Sequence, residues 1–255
     1  MSYMAVYVTG DCHGDWWRLN RYEIDRDRVL TEGDIVIVCG DFGIWNEYAK
    51  NEEHDLNCLS NEPFITVFVD GNHENFDRLY GDEFEIVDFC GGKAHKIREH
   101  VYHLMRGCVF EFEGKKFFCF GGASSHDIAD GVIVPSECQD WKEEALKWHE
   151  AGRQFRIRGL TWWPEELPTA EEMEFGRQNL VKSGNKVDYI ITHCCPQQIA
   201  SIFSRGFYKS DVLTTYFNEI MQDVEFTRWF FGHYHDNKNI LGKFIMLYDN
   251  VERIV

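Results

Sequence analysis

Five short apolar runs recur along the chain, and each leads into a side chain able to bind a metal or move a proton. Residues 4–8 lead into Gly10-Asp11-Cys12-His13-Gly14, and residues 34–39 into Gly40-Asp41-Phe42-Gly43. Residues 64–69 lead into Asp70-Gly71-Asn72-His73-Glu74. Residues 187–191 lead into Thr192-His193-Cys194-Cys195-Pro196, and residues 228–231 into Gly232-His233-Tyr234-His235-Asp236. The runs are continuous and rich in β-branched and aromatic residues, the pattern of strands buried on both faces. Glycine at these exits permits a tight turn or positive φ where strand becomes loop. In open α/β sheets ligands sit beyond the carboxyl ends of the strands, which is where this pattern concentrates its chemistry.

Between the runs the spacing predicts helices over 45–59, 136–150 and 210–221. Trp141, Ala145 and Trp148 stand at helical spacing in the second, and Val212, Leu213, Tyr216, Phe217 and Ile220 in the third. Thr169-Ala170-Glu171-Glu172 has the form of a capping box and opens a helix to about residue 182. Residues 109–120 read as a hairpin turning at Glu113-Gly114-Lys115, and 244–255 as one or two final strands. The expectation is an α/β fold of two packed sheets with helices outside, formed by residues 1–255 as one domain. Residues 76–187 are expected to be an insertion shaping the substrate side.

Composition narrows the partners. With 44% hydrophobic residues the chain has material for a large core and is not disordered. The net charge of −17 opposes binding to long duplex nucleic acid, yet allows a phosphate ester wherever bound metal reverses the local sign. No apolar run approaches the ~18 residues of a membrane span, and the first residues lack the pattern of a signal peptide. Nine cysteines, an odd number without a Cys-x-x-Cys pair, fit reduced thiols and a cytoplasmic location.

The candidate metal ligands are Asp11, His13, Asp41, Asn72, His193, His233 and His235. Seven oxygen and nitrogen donors exceed one tetrahedral site, so two metals sharing a carboxylate are expected, with Asp41 the best bridge. Two divalent ions against Asp11, Asp41 and a hydroxide leave about one positive charge to attract phosphate. His73, directly after Asn72, is suited to give a proton to a departing alkoxide.

The series Asp11-x-His13-Gly14, Gly40-Asp41, Gly71-Asn72-His73-Glu74, His193 and Gly232-His233-x-His235 resembles the calcineurin-like metallophosphoesterases, in that family's order and across residues 11–235. The likeness is to small bacterial or phage-type members. It implies an αββα sandwich in which Asp11, His13 and His235 hold one metal, Asn72, His193 and His233 the second, and Asp41 bridges. It also implies His73 as general acid and metals such as manganese, iron, zinc, nickel or cobalt. The Asp-Arg-Gly element of the Ser/Thr protein phosphatases is missing, since Gly40-Asp41 is followed by Phe42-Gly43, which argues against a protein phosphatase. The function expected is hydrolysis of a phosphomonoester or phosphodiester by metal-bound hydroxide. The alternative is a metal-binding scaffold of the same fold without catalysis.

Other features admit two readings. Gly121-Gly122-Ala123-Ser124-Ser125-His126-Asp127 is either a glycine-rich turn or the rim of the site, with His126, like Asn72, touching substrate, or with His126 or Asp127 pairing with His73. Trp162 and Trp163 are core aromatics or a stacking platform for a base. Cys12 is an inert thiol or one that oxidises and displaces a metal. His95, His100, His103 and His149 are expected on the surface.

Overall fold

The computed structural model describes residues 4–44 and 51–255. In chain order the strands are β1 (Val6–Thr9), β2 (Ile35–Val38), β3 (Ile65–Phe68), β4 (Glu85–Phe89), β5 (Gly92–Arg98), β6 (Val101–Leu104), β7 (Cys108–Phe112) and β8 (Lys115–Phe120). They continue as β9 (Gly131–Ile133), β10 (Phe155–Ile157), β11 (Tyr189–Thr192), β12 (Arg228–Phe231), β13 (Lys238–Ile240), β14 (Phe244–Met246) and β15 (Val251–Arg253). The helices are α1 (Glu52–Ser60), α2 (Phe76–Leu79), α3 (Trp141–Glu150), α4 (Ala170–Lys182), α5 (Gln197–Ser204) and α6 (Val212–Asp223). Residues 45–50 of the helix expected over 45–59 lie outside the described residues.

Two sheets stack face to face. One has seven strands in the order β15-β1-β2-β3-β6-β5-β4, the other six in the order β13-β14-β12-β11-β8-β7. Period-two alternation divides each central strand between two cores. Val6, Val8, Ile35, Ile37 and Val67 point inward to meet Phe110, Phe117, Cys119, Ile191 and Phe230 of the other sheet. Tyr7, Val36 and Phe68 point outward and pack with Leu56 and Leu59 of α1. On the far side, Phe118, Ile190, Trp229 and Phe231 pack beneath Met173 of α4, Ile199 of α5 and Tyr216, Phe217 and Ile220 of α6. The result is the expected αββα sandwich.

The termini of these elements follow local chemistry. Thr169 and Glu172 form the anticipated capping box at α4. Asp211 and Thr214 form a second at α6 that the hydrophobic spacing alone did not locate. The β7–β8 hairpin turns on Glu113 and Gly114, both at positive φ (50° and 67°), the pairing that matches the twist of the strands. The helix expected over 136–150 begins later, at Trp141 behind Asp140, because Pro135 opens a separate 3-10 turn ending at Glu137.

Much of 76–187 builds the sheets themselves, since β4 to β8 belong to them. Parallel pairing of β9 with β10 makes a small third sheet within that stretch. His95 and His103 are buried rather than on the surface, because they are cross-strand partners on β5 and β6 facing the same interior. Their Nδ1 atoms lie 2.9 Å apart, and His103 Nε2 reaches Asp70 at 3.1 Å. His149 is exposed and His100 half-buried. No helix among the described residues is long and apolar enough to cross a membrane.

Candidate active site

Strand register sets the height of the site. Parallel pairing places Thr9, Val38 and Phe68 side by side at the ends of β1, β2 and β3. Ile191 likewise lies beside Phe230 on β11 and β12. The five segments leaving these strands therefore emerge at one edge of the sandwich, and they carry all seven expected ligands. Four of those residues, His13, Asp41, His233 and His235, hold positive φ between 46° and 69°. Such backbone is uncommon outside glycine and costs on the order of 1–3 kcal/mol per residue, so the surrounding contacts must impose it.

Those contacts are present. Asp41 O accepts from the amides of Cys12 and His13 at 3.0 and 2.7 Å. Asp11 accepts from the His233 amide at 3.0 and 3.2 Å, and Asp41 Oδ1 from the His73 amide at 2.7 Å. Buried Glu74 accepts from the amides of Phe42, Gly43 and Ile44, which fixes the loop after Asp41. Space, more than φ, explains two strand-end glycines. A Cβ on Gly71 would overlap the Asp41 carboxylate, and one on Gly232 the Asp11 carboxylate.

Asp11, His13, Asp41 and His235 bring one ligand atom each to within 4.8 Å of one another. His13 Nε2 and His235 Nε2 are 3.0 Å apart, and His235 Nε2 is 3.3 Å from Asp11 Oδ2. Donors bound ~2.1 Å from a common ion lie about 3.0–4.2 Å apart, a range that also takes in the 3.8 Å from His13 Nε2 to Asp11 Oδ2 and to Asp41 Oδ2, so this set could hold a divalent metal. On the other side, His193 Nε2 is 3.2 Å from Asn72 Oδ1 and 3.3 Å from Asp41 Oδ1. Asp41 turns its second oxygen, Oδ2, toward His13 at 3.8 Å. One carboxylate thus faces both groups of donors. The His233 ring stands beside His193, with centroids 4.9 Å apart.

The charges around Asp41 are mutually dependent. Burial alone would raise its pKa, but the neighbouring histidines, His193 foremost, hold it below the usual carboxylate range. Burial disfavours the His193 cation, yet the Asp41 carboxylate outweighs it and raises that group to about 9. A metal bound at His193 would therefore displace a proton. Burial lowers His73 to about 4, with the Arg156 charge adding to the effect, so its ring is neutral at neutral pH.

The hydrogen bonds also assign roles to residues that local sequence did not mark. Asn72 Nδ2 donates to Ser125 Oγ at 3.2 Å, while Ser125 Oγ and N donate to buried Glu166 at 3.0 Å each. This chain turns Asn72 Oδ1 toward His193 and away from the loop. Burial raises Glu166 to about 8 in spite of those two donors. Both readings of 121–127 are therefore partly realised. Gly121 packs on Asp70 with no room for a side chain, whereas His126 reaches the site, its ring 4.4 Å from that of His233. Asp127 meets Arg156 of β10, and Arg156 in turn lies against the His73 ring. Nothing in the sequence around Arg156 marked it, because β10 joins the site only through long-range packing.

A cleft of about 240 Å³ opens over the centre, lined by Asp41, Asn72, His73, His126, Asp127 and Arg156, with Tyr208, His233, Tyr234 and His235 opposite. Trp163 is not part of it. That side chain is buried, donates to Asp77 Oδ2 at 2.8 Å and packs near Phe76, as a core aromatic. Cys12 is also buried, and burial raises its thiol to about 11, which favours the inert reading of this cysteine.

Comparison with known proteins bears on this arrangement. No curated protein matches the chain in sequence. Among solved structures, it is similar to the phosphopantetheinyl hydrolase from Mycobacterium tuberculosis, at 14% identity and a TM-score of 0.40, over 96% of this chain and 90% of that one. The sequence profile of the calcineurin-like phosphoesterases matches residues 4–237, from β1 to just beyond the last of the clustered histidines. With that match over most of its length, the chain belongs to the calcineurin-like phosphoesterase family, whose members are metal-dependent hydrolases.

Proposed function

We propose that this protein hydrolyses a phosphate ester at a centre of two divalent ions. Asp11, His13 and His235 would hold one, Asn72, His193 and His233 the other, and Asp41 both. The observation that carries the reading is the Asp41 carboxylate, which presents one oxygen to each group of donors. Divalent ions bound there supply positive charge for phosphoryl oxygens and lower the pKa of water so that hydroxide is available near neutral pH. An all-oxygen and nitrogen donor set suits manganese, iron or zinc alike.

The residues around the centre do the remaining work. Ser125 keeps the Asn72 oxygen aimed inward, and His73 projects into the cleft beside Asp41, where a leaving group would depart. Burial keeps His73 neutral, and the negative charge of a bound phosphoryl group would raise its pKa toward that of a proton donor. His126 lies at the rim against Tyr208, where it can meet the organic part of the ester.

The test is hydrolysis of p-nitrophenyl phosphate and bis(p-nitrophenyl) phosphate by manganese-loaded protein, with Asp41→Asn as the control. Turnover of either ester, lost in the control together with bound metal, supports the proposal. A protein that binds two metals and turns over neither ester would instead be the non-catalytic scaffold.

A further inference from the structure

We infer that Arg156 is the cation that grips the phosphoryl group of the substrate, held in place for that task by Asp127. This rests on the phosphoesterase reading above and adds a ligand-binding residue to it.

The argument starts from the hydrogens of the guanidinium. Arg156 donates through Nε to Asp127 at 2.9 and 3.0 Å, and through Nη2 to Asp127 Oδ2 at 2.7 Å. Nη1 donates to Thr161 O at 3.3 Å. The Asp127 bonds use the Nε–Nη2 edge of the fork. The opposite end points into the cleft, where Nη1 and Nη2 lie 3.4 and 3.3 Å from Nδ1 and Nε2 of the His73 ring. A neutral imidazole has a single acceptor nitrogen and carries a proton on the other. Both contacts cannot be hydrogen bonds, so at least one guanidinium N–H is aimed at a group that cannot accept it. Its side chain is only 15% exposed, which limits what water can supply. Asp127 already balances the charge, and the N–H left over at the cleft end calls for a further acceptor.

The position suits a phosphoryl oxygen. Arg156 lines the same cleft as Asp41, Asn72, His73, His233 and His235. A fork that presents two N–H groups at one end matches the spacing of two phosphoryl oxygens, which a lysine would not. Asp127 engages only the far edge and is 51% exposed, so it holds the guanidinium without occupying the end that faces the centre.

The experiment uses metal-loaded protein and inorganic phosphate as the probe, measured by calorimetry and as a competitive inhibitor. Arg156→Ala is expected to weaken phosphate about ten- to hundredfold and to raise KM for p-nitrophenyl phosphate by a similar factor, with bound metal unchanged. Arg156→Lys should recover part of that loss. Asp127→Asn should weaken phosphate by less than Arg156→Ala. Unchanged phosphate affinity in a folded Arg156→Ala protein would overturn the inference, as would full recovery by lysine. Calorimetry reads phosphate binding without turnover, so it distinguishes a failure of this assignment from a failure of the phosphoesterase reading.

Discussion

Arg106 ties the segment after β3 to the 3-10 turn at Pro164–Glu166, and removing it should cost more than any surface charge could. Its guanidinium is almost fully buried and donates through Nε to Asp70 Oδ2 at 2.9 Å and through Nη2 to Glu165 O at 2.7 Å. Asp70 lies two residues past β3, and its carbonyl accepts from the Gly122 amide just beyond β8 of the other sheet. Arg106→Met keeps the apolar stem and deletes the charge. Asp70 would then be a buried carboxylate with His103 Nε2 at 3.1 Å and the Tyr80 hydroxyl at 3.4 Å as its remaining partners. Breaking a buried pair by removing one member costs about 3–5 kcal/mol. For a chain of this size each kcal/mol lowers Tm by about 2–4 °C, giving a drop of roughly 6–20 °C. The assay is urea and thermal unfolding of metal-free protein, followed by tryptophan fluorescence and circular dichroism. Asp70→Asn together with Arg106→Met should cost clearly less than the sum of the two single changes, because no uncompensated charge remains. A single-variant cost under about 1 kcal/mol, with additive behaviour in the double variant, would refute the reasoning.

Three further outcomes follow from other parts of the structure. His73→Ala should lower kcat by roughly 10²–10⁴ on an ester with a poor leaving group while bound metal is unchanged, as read by single-turnover kinetics and metal analysis. Ser125→Ala frees the Asn72 amide to rotate and should weaken metal binding by about 10–100-fold, measured by competition with a chelator. Asp34 is wholly buried and accepts from the Ala5 and Thr31 amides and from Arg28. Burial opposes its charge, but Arg28 and the two amides outweigh that and depress its pKa. Its stabilisation is therefore complete above the unfolded-state value of about 3.9 and fades as pH falls below it. Asp34→Asn should flatten the acid limb of a stability-versus-pH curve, and an unaltered limb would contradict this.

How far the sequence could be read depended on the range of the interaction concerned. The strands at the centre of each sheet were legible because burial on both faces writes a continuous apolar run, as in 34–39. Strands β4 and β5 were not. Their residues alternate or are mostly exposed, and they become strands only through pairing with each other and with β6. Helix α5 follows Pro196 directly, inside a segment already read for its histidine and cysteines, and it went unnoticed. The same holds at the site. Ligand candidates follow strands in a fixed local pattern, so spacing located them. Ser125, Arg156 and Glu166 act through partners 53, 83 and 41 positions away, and no local pattern encodes such contacts. His95 and His103 were misplaced for a related reason, since a pair of histidines looks polar until each finds its partner across the ladder.

The hydrogen bond from the His233 amide to Asp11 joins residues 222 positions apart, and this separation governs when the centre can exist during synthesis. A nascent chain emerging from the ribosome displays Asp11, His13 and Asp41 long before His193, His233 and His235 have been made. Until then the early donors offer one histidine and two carboxylates, with the His233 amide that holds Asp11 still unmade. Such a set binds transition metals weakly and with little discrimination. At the proposed centre, strong capture would await the docking of β12 on β11, which brings in His233 and His235. Metal acquisition would in this way be deferred to a late stage of folding, and a truncated or stalled chain would lack the donors to complete the centre.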